Sequence, residues 1–539
     1  MSDRVEKISF GIVRMAGAAM MLLLAVCVLV DTWYMMPGGE EVSFHKGDSV
    51  LGNLFAAVFC CILFRALLSL ERRLEAGKQR LVSEGLGALA ALWAFSVSLW
   101  WIFSAERLPM GDQAFIYGGA SYFRNGNFSF LEPGGYCHIY PYQLGQISLV
   151  ELLYHVIEPF QYRPLHVINA LAVAGIVYTG YRLVREWSDS FSVEVLYCLM
   201  ISLCFPLFFY ASWVYGDILS IFLALLGFLF LCRYEKRRKT GYLAGMTVTL
   251  ALAQLVRQST TIVFIALALV TLVHLIRKRD KKLLAAVVLS VVLPLILFAG
   301  IYRMYESRSG LERSGGVPTV VTLAMGMQES RRGCGWDNNY QKDVYNAAVF
   351  DYEKMKELGE QEMKDRVTYF AGNPVYAAEF YGKKILSQWS GPLYQSVFFT
   401  TDYQQSRPPE AGSLADRIGG PAFWTVLDIC DRLQFVVYLG MLFWFLLAVK
   451  RENGILRQLA AVAVIGGFCF SLLWEAKTRY ILPYYLFMFP CAAVGYKEFC
   501  CRLSGYRSHR GCVETSCDGV CVKRNLSLRR KLFSDRKGL

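Results

Sequence analysis

Charge is scarce in this chain. Only 18% of its 539 residues are Asp, Glu, Lys or Arg, where a soluble globular protein carries roughly a quarter. That shortage excludes a string of soluble domains, the ordinary reading of such a length. No internal repeat and no coiled-coil heptad appears, so neither a solenoid nor a long fibrous assembly is indicated. No A-x-A-like cleavage site follows the first apolar run in Met35-Met36-Pro37-Gly38-Gly39, and that run reads as an anchor rather than a signal peptide. The 16 cysteines lack CxxC-type spacing, which a zinc site would want. Cys512-x4-Cys517-x3-Cys521 with His509 comes nearest, and reads as free thiols. Cys27, Cys60, Cys61, Cys198, Cys204, Cys232, Cys469 and Cys491 fall inside apolar runs, where cysteine acts as a small hydrophobe.

What the chain has in quantity is apolar sequence, 55% of all residues. A bilayer span needs about 20 apolar residues. Runs approaching that length occur near 12–30, 51–70, 86–104, 165–184, 193–211, 217–233, 241–256, 260–276, 283–302, 433–449, 457–474 and 481–496. The expected fold class is therefore an all-α polytopic membrane protein of about 12 transmembrane helices. Short loops rich in Lys and Arg stay cytoplasmic. Arg72, Arg73, Lys78 and Arg80 follow the second run; Arg233, Lys236, Arg237, Arg238 and Lys239 follow the sixth; Arg277, Lys278, Arg279, Lys281 and Lys282 follow the eighth. Lys450 and Arg451 follow the tenth, and Lys523, Arg524, Arg529, Arg530 and Lys531 lie in the tail. All fall on one side if both termini are cytoplasmic, which predicts a multi-pass plasma-membrane protein. The net charge of +13 is then the positive-inside bias with attraction to anionic headgroups, and calls for no nucleic acid.

This topology divides the chain. Residues 1–85 hold two N-terminal spans, 86–302 a transmembrane core, 303–432 an extracytoplasmic insert, 433–497 the C-terminal spans and 498–539 a basic cytoplasmic tail. The first large outer loop is 105–164. Within it, 140–157 is short for a span and carries Gln143, Gln146, Glu151 and His155, so it reads as an amphipathic helix at the outer interface. In the insert, one helix is expected over about 344–370 and another after Asn373-Pro374, with Asn373 as cap and Pro374 at the first helical position. Val375, Phe380, Lys384 and Trp389 give that second helix an apolar face with cationic flanks that could rest on the membrane. Cys137 and Cys334 are the two cysteines clearly in outer loops, and a disulfide between them does not follow from sequence.

Ionisable residues recur at the outer ends of the spans. Asp112 lies in Leu108-Pro109-Met110-Gly111-Asp112-Gln113, Asp217 in Trp213-Val214-Tyr215-Gly216-Asp217, and Arg257 in Arg257-Gln258-Ser259-Thr260. Glu475, Lys477, Arg479 and Tyr480 lie in Trp474-Glu475-Ala476-Lys477-Thr478-Arg479-Tyr480. Each alone reads as a snorkelling or loop charge. Together they suggest an outward cavity in which a carboxylate deprotonates a hydroxyl and cations bind a phosphate and neutralise its charge.

The order of these features resembles the membrane-embedded GT-C glycosyltransferases. Asp112-x7-Ala120-x5-Gly126, followed by Tyr140-Pro141 opening an interfacial helix, is similar to the branch of protein O-mannosyltransferases and aminoarabinose transferases. The likeness extends to Asp217 as a second carboxylate, to a basic residue at Arg257 and to Arg479-Tyr480 near the last spans. Met325-Gly326-Met327, Gly333-x-Gly335-Trp336 and Lys383-Lys384…Trp389 resemble the outer insert of bacterial members. The chain departs at Gln113, where the family often has a second acid, and at Tyr142, in place of a second proline. The basic residue that some relatives carry just before the proline is Tyr140 here.

The resemblance implies a polyprenyl-phosphate-sugar-dependent glycosyltransferase, hexosyltransferase-like, that moves sugar to an acceptor hydroxyl on a protein, wall polymer or lipid. Asp112 would be the catalytic base, and Asp217, Arg257, Glu475, Lys477, Arg479, Tyr480 and Tyr140 would bind substrate. No cofactor is expected. Asp112 and Asp217 would allow a divalent metal, but the resemblance favours chemistry without one. The alternatives are a multi-pass transporter or lipid-linked sugar flippase, and a non-catalytic glycolipid-binding protein. Carriers often show internal repeats with sites near the bilayer midplane, and neither is visible here.

Overall fold

The computed structural model describes residues 2–104, 107–159, 161–400, 409–449 and 455–503. Lys450, Arg451, the tail lysines and arginines and Cys512, Cys517 and Cys521 lie outside the described residues. Met1–Cys500 form one compact unit.

Among the described residues, nine helices are long and apolar enough to cross a membrane: Arg4–Val30, Val50–Arg73, Ala76–Phe103, Tyr162–Trp187, Asp217–Arg237, Gln258–Ile276, Lys281–Ser309, Phe423–Ala448 and Leu456–Leu473. Phe191–Ile201 and Phe205–Ser212 make a tenth if counted as one span, bent by 58°. Pro206 in the first turn of the second half lacks the N–H that would continue the ladder, and so favours the break there. Two more apolar helices complete the bundle, Thr240–Val256 of 17 residues and Leu482–Leu503. The protein is thus an almost wholly α-helical, multi-pass membrane protein. Exposed Leu51, Phe55, Phe59 and Ile62 on Val50–Arg73 suit a lipid-facing helix, since lipid removes the penalty for an apolar surface.

The helices pack closely where glycine allows it. Gly440 and Gly495 sit at the crossing of Phe423–Phe443 with Leu482–Leu503, and a Cβ on Gly495 would lie 2.0 Å from the Gly440 carbonyl oxygen. Small residues of this kind let membrane helices approach backbone to backbone. At the bundle end formed by the basic loops, carboxylates are paired: Glu186 with Arg233, Lys236 and Arg237, and Asp280 with Arg238 at 2.8 Å. Asp280 also caps Lys281–Ser309 by accepting from the Leu283 N–H.

The opposite end carries the insert, and differs from the sequence reading in four places. First, a β-hairpin, β1 Asp31–Tyr34 antiparallel to β2 Phe44–Gly47, joins the first two spans. It is tied to the rest through the Trp33 N–H to the Ser390 carbonyl (2.9 Å) and the Thr32 hydroxyl to Asp431 (3.0 Å). Second, the 140–157 segment holds a helix over Leu144–Leu153, but Gln143, Gln146 and Glu151 are buried while Leu152 and Val156 are exposed. Its polar residues turn into the protein: Glu151 takes an ion pair from Arg308 at 2.8 Å and a hydrogen bond from the Tyr305 hydroxyl.

Third, the helix expected over 344–370 is two helices, Tyr340–Ala347 and Tyr352–Gly372. Val349 and Phe350 take left-handed backbone between them, and Asp351 caps the second by accepting from the Lys354 N–H. Fourth, the helix Pro374–Trp389 begins at Pro374 as expected, but the Asn373 amide donates back to the Tyr369 carbonyl instead of capping forward. Its Phe380, Lys384 and Trp389 are buried in protein, and only Val375 is exposed, so this face does not rest on a membrane. Cys137 and Cys334 are free thiols.

The glycine crossing gives a direct check on the packing. Gly495→Val is expected to lower stability by about 1–3 kcal/mol through overpacking, seen as an earlier thermal unfolding midpoint in detergent. Gly241→Ala, at a helical glycine whose Cβ would meet nothing within 4 Å, should leave the midpoint unchanged or raise it.

Candidate functional site

Two helix starts set the site. Asp112 is the first residue of Asp112–Arg124 and Asp217 the first of Asp217–Arg237. Each follows a glycine with positive φ, Gly111 at 53° and Gly216 at 88°, a region L side chains rarely adopt. A carboxylate at a helix N-terminus faces the positive end of the macrodipole. Gly216 is further constrained, because a Cβ there would lie 2.7 Å from the Val256 carbonyl oxygen. That close approach sets Asp217 beside Arg257.

The Asp217 carboxylate is almost fully buried. Its Oδ1 lies 3.0 Å from Arg257 Nε, and its Oδ2 accepts from Trp213 Nε1 at 3.3 Å. The Arg479 guanidinium is a second cation in the field of Asp217. Burial disfavours the charge of both arginines, but Asp217 and the surrounding tyrosines outweigh it and hold both well above the ordinary arginine pKa. Lys477 follows the same logic. Burial opposes its charge, and Glu475, 2.9 Å away, raises its pKa nonetheless. The second Glu475 oxygen accepts from the Tyr480 hydroxyl at 3.2 Å.

Tyr215 joins the cation side to the first loop. Arg257 lies over its ring at 4.4 Å and Arg479 at 5.1 Å, within the range of cation–π attraction. Its hydroxyl lies 3.1 Å from that of Tyr136 and accepts from the Gln143 amide. Arg479 is further boxed by Trp213, Phe399 and Tyr480 at 5.0–5.5 Å. Asp112 is half-buried and makes no hydrogen bond or ion pair among the described residues, and its charge acts on Tyr136, Tyr140, Tyr142 and Tyr215. Tyr142 is 38% exposed and yet sits in the fields of Tyr480, Arg257, Asp112 and Glu475. Burial, followed by the charges of Tyr142, Asp112 and Glu475, pushes the Tyr140 phenol up.

Every residue singled out in the sequence therefore lies in this one cluster: Asp112, Tyr140, Asp217, Arg257, Glu475, Lys477, Arg479 and Tyr480. The sequence reading missed Tyr215, Trp213, Phe399 and the position of Gln113. The aromatics of Trp213-Val214-Tyr215 next to Asp217 were a usable signal for Tyr215 and Trp213; Phe399, distant in the insert, offered none. Gln113 is buried, and its amide oxygen accepts from the Val214 N–H at 2.6 Å. It thereby ties Asp112 to the segment that carries Tyr215 and Asp217.

The cluster has more hydrogen-bond donors than acceptors. A guanidinium offers five N–H donors. Neither Arg257 nor Arg479 makes an aligned side-chain hydrogen bond among the described residues, and Arg479 Nε is buried without a partner. All four oxygens of Asp217 and Glu475 are engaged. With Asp112 left aside, the three cations Arg257, Lys477 and Arg479 face the two carboxylates of Asp217 and Glu475, so an acceptor-rich anion fits both the charge and the hydrogen-bonding deficit on that side of the cluster. Among the described residues, no group of three His, Cys, Asp or Glu side chains could hold a metal ion.

Removing one partner of a buried pair strands the other charge. Arg257→Ala is expected to cost about 3 kcal/mol, read as a lower unfolding midpoint in detergent. The double substitution Asp217→Asn with Arg257→Ala should recover part of that loss, and simple additivity of the two single effects would show that the residues are not coupled.

No protein-family model matches the chain, and a search of curated proteins finds no match.

Proposed function

We propose that this protein is an integral membrane glycosyltransferase that moves a sugar from a polyprenyl-phosphate-linked donor to an acceptor hydroxyl. The observation that carries the reading is the donor-rich, net-positive cluster of Arg257, Arg479 and Lys477 facing the unpaired carboxylate of Asp112 across Tyr142 and Tyr215. A phosphodiester supplies the acceptors and the negative charge that this cluster lacks. A half-buried carboxylate left without a hydrogen bond is suited to accept a proton. In this reading the chain has twelve spans in a GT-C-like arrangement in the plasma membrane. Both termini are cytoplasmic and the insert end faces outward.

The acceptor O–H gives its proton to Asp112 as its oxygen bonds to the anomeric carbon. The bond from that carbon to the phosphate oxygen breaks, and its electron pair leaves on the lipid phosphate, where Arg257 and Arg479 neutralise the added charge. A single displacement inverts the anomeric centre. Lys477 holds Glu475 and adds to the positive field. Gln113 is not a lost second acid in this scheme, since its amide already anchors the Asp217 segment.

Asp112→Asn should reduce glycosyl transfer in purified protein by about 10²–10⁴-fold while leaving donor affinity intact. Arg257→Ala and Arg479→Ala should weaken donor binding more than acceptor binding. Full transfer by Asp112→Asn rejects the base assignment, and equal losses for both substrates reject the phosphate role.

A further inference from the structure

Lys384 lies outside the cluster and is completely buried. Its ammonium donates to the Gly326 carbonyl at 2.5 Å and to the Leu472 carbonyl at 3.0 Å. These two acceptors belong to different parts of the chain, the insert loop after Thr319–Met325 and the end of Leu459–Leu473. A second contact runs alongside, from the Ala476 N–H to the Gly335 carbonyl at 2.7 Å. The segment pinned in this way, 472–480, carries Glu475, Lys477, Arg479 and Tyr480. Trp336 Nε1, donating to the Ser387 hydroxyl at 3.0 Å, locks the same insert loop onto the Lys384 helix.

We propose that Lys384 is a proton-linked latch that positions the Glu475–Tyr480 segment: the latch holds most tightly when Lys384 is neutral and loosens when it is charged. As a device for regulating the phosphate site, this rests on the glycosyltransferase reading; as a clamp on 472–480, it stands by itself. A buried ammonium with only two carbonyl partners leaves one N–H and its charge poorly solvated, whereas a neutral amine satisfies both carbonyls with its two N–H bonds. Burial pulls the Lys384 pKa down to about 7 against the opposing pull of Glu475 and Cys334. The charged or titratable groups facing it are Glu475 on the pinned segment and Cys334 on the insert loop; Lys383, its neighbour on the helix, pairs outward with Glu379.

The sign follows from linkage. When the latch opens, Lys384 regains water and the ordinary pKa of 10.5, so the open form binds more protons than the closed form between the two values. Closing therefore strengthens as pH rises above about 7, by up to about tenfold per unit. Burial raises the Cys334 thiol above its usual 9.0.

Hydrogen exchange of 472–480 in the full-length, ligand-free protein tests the latch. After correction for intrinsic exchange, protection of the Ala476 amide is expected to rise about tenfold or more between about pH 7 and about pH 8.5 in the wild-type protein. Lys384→Met, similar in length and uncharged, should abolish that rise, as should Lys384→Arg, which stays charged. A flat wild-type profile overturns the proposal, as does a rise that persists in both variants. Binding of a polyprenyl-phosphoryl hexose, whose phosphodiester does not titrate near neutrality, is measured in parallel. A wild-type exchange profile that rises while no probe binds leaves the latch standing and rejects the glycosyltransferase reading.

Discussion

Arg257 and Arg479 share one carboxylate, Asp217, and the remainder of the insert end is arranged around that inequality. One acid cannot satisfy two guanidinium groups. The protein fills the gap with π faces, from Tyr215 to both arginines and from Trp213, Phe399 and Tyr480 to Arg479. Aromatic rings attract a cation without quenching its hydrogen-bond donors. The arginines are thus held in place, kept charged and left with N–H groups free. Such a cluster keeps donors available for an acceptor-rich anion.

Segments far apart in sequence build this cluster, and each is fixed by a short polar contact. Gln113 binds the Val214 N–H, Gln143 binds Tyr215, and the Gln395 amide oxygen accepts from the Arg479 N–H. The insert contributes Phe399 to the box around Arg479, and through Lys384 and Gly335 it fixes the backbone from Leu472 to Ala476. It is therefore part of the wall of the site, not a separate appendage. The buried polar groups that do this work would be costly if left unmatched, which makes the geometry sensitive to single substitutions well away from Asp112.

The sequence made the membrane class legible, because apolar runs of bilayer length and clustered Lys and Arg are strong signals. The positions of Asp112, Asp217, Arg257 and Arg479 at span ends were equally readable. Residue pattern could not reveal which way polar side chains turn in a short helix. Gln146 and Glu151 read as a solvent face, but tertiary partners such as Arg308 draw them inward. Lys384 was misread for the same reason: in a helix of mixed pattern, a lysine beside apolar residues looks like a membrane flank until its two carbonyl acceptors are known. The hairpin of β1 and β2 escaped notice because its strands are only four residues each, Asp31-Thr32-Trp33-Tyr34 and Phe44-His45-Lys46-Gly47, and neither alternates apolar with polar residues.

The central claim is that the arginine pair receives a lipid-linked phosphate opposite Asp112. The most direct measurement is a density map of the full-length protein in a lipid nanodisc with a polyprenyl-phosphoryl hexose bound. The account predicts phosphate density in contact with both Arg257 and Arg479, with the sugar turned toward Asp112. Phosphate bound at the opposite end of the bundle, among Arg233, Lys236 and Arg237, or a cluster left empty at saturating ligand, would contradict it.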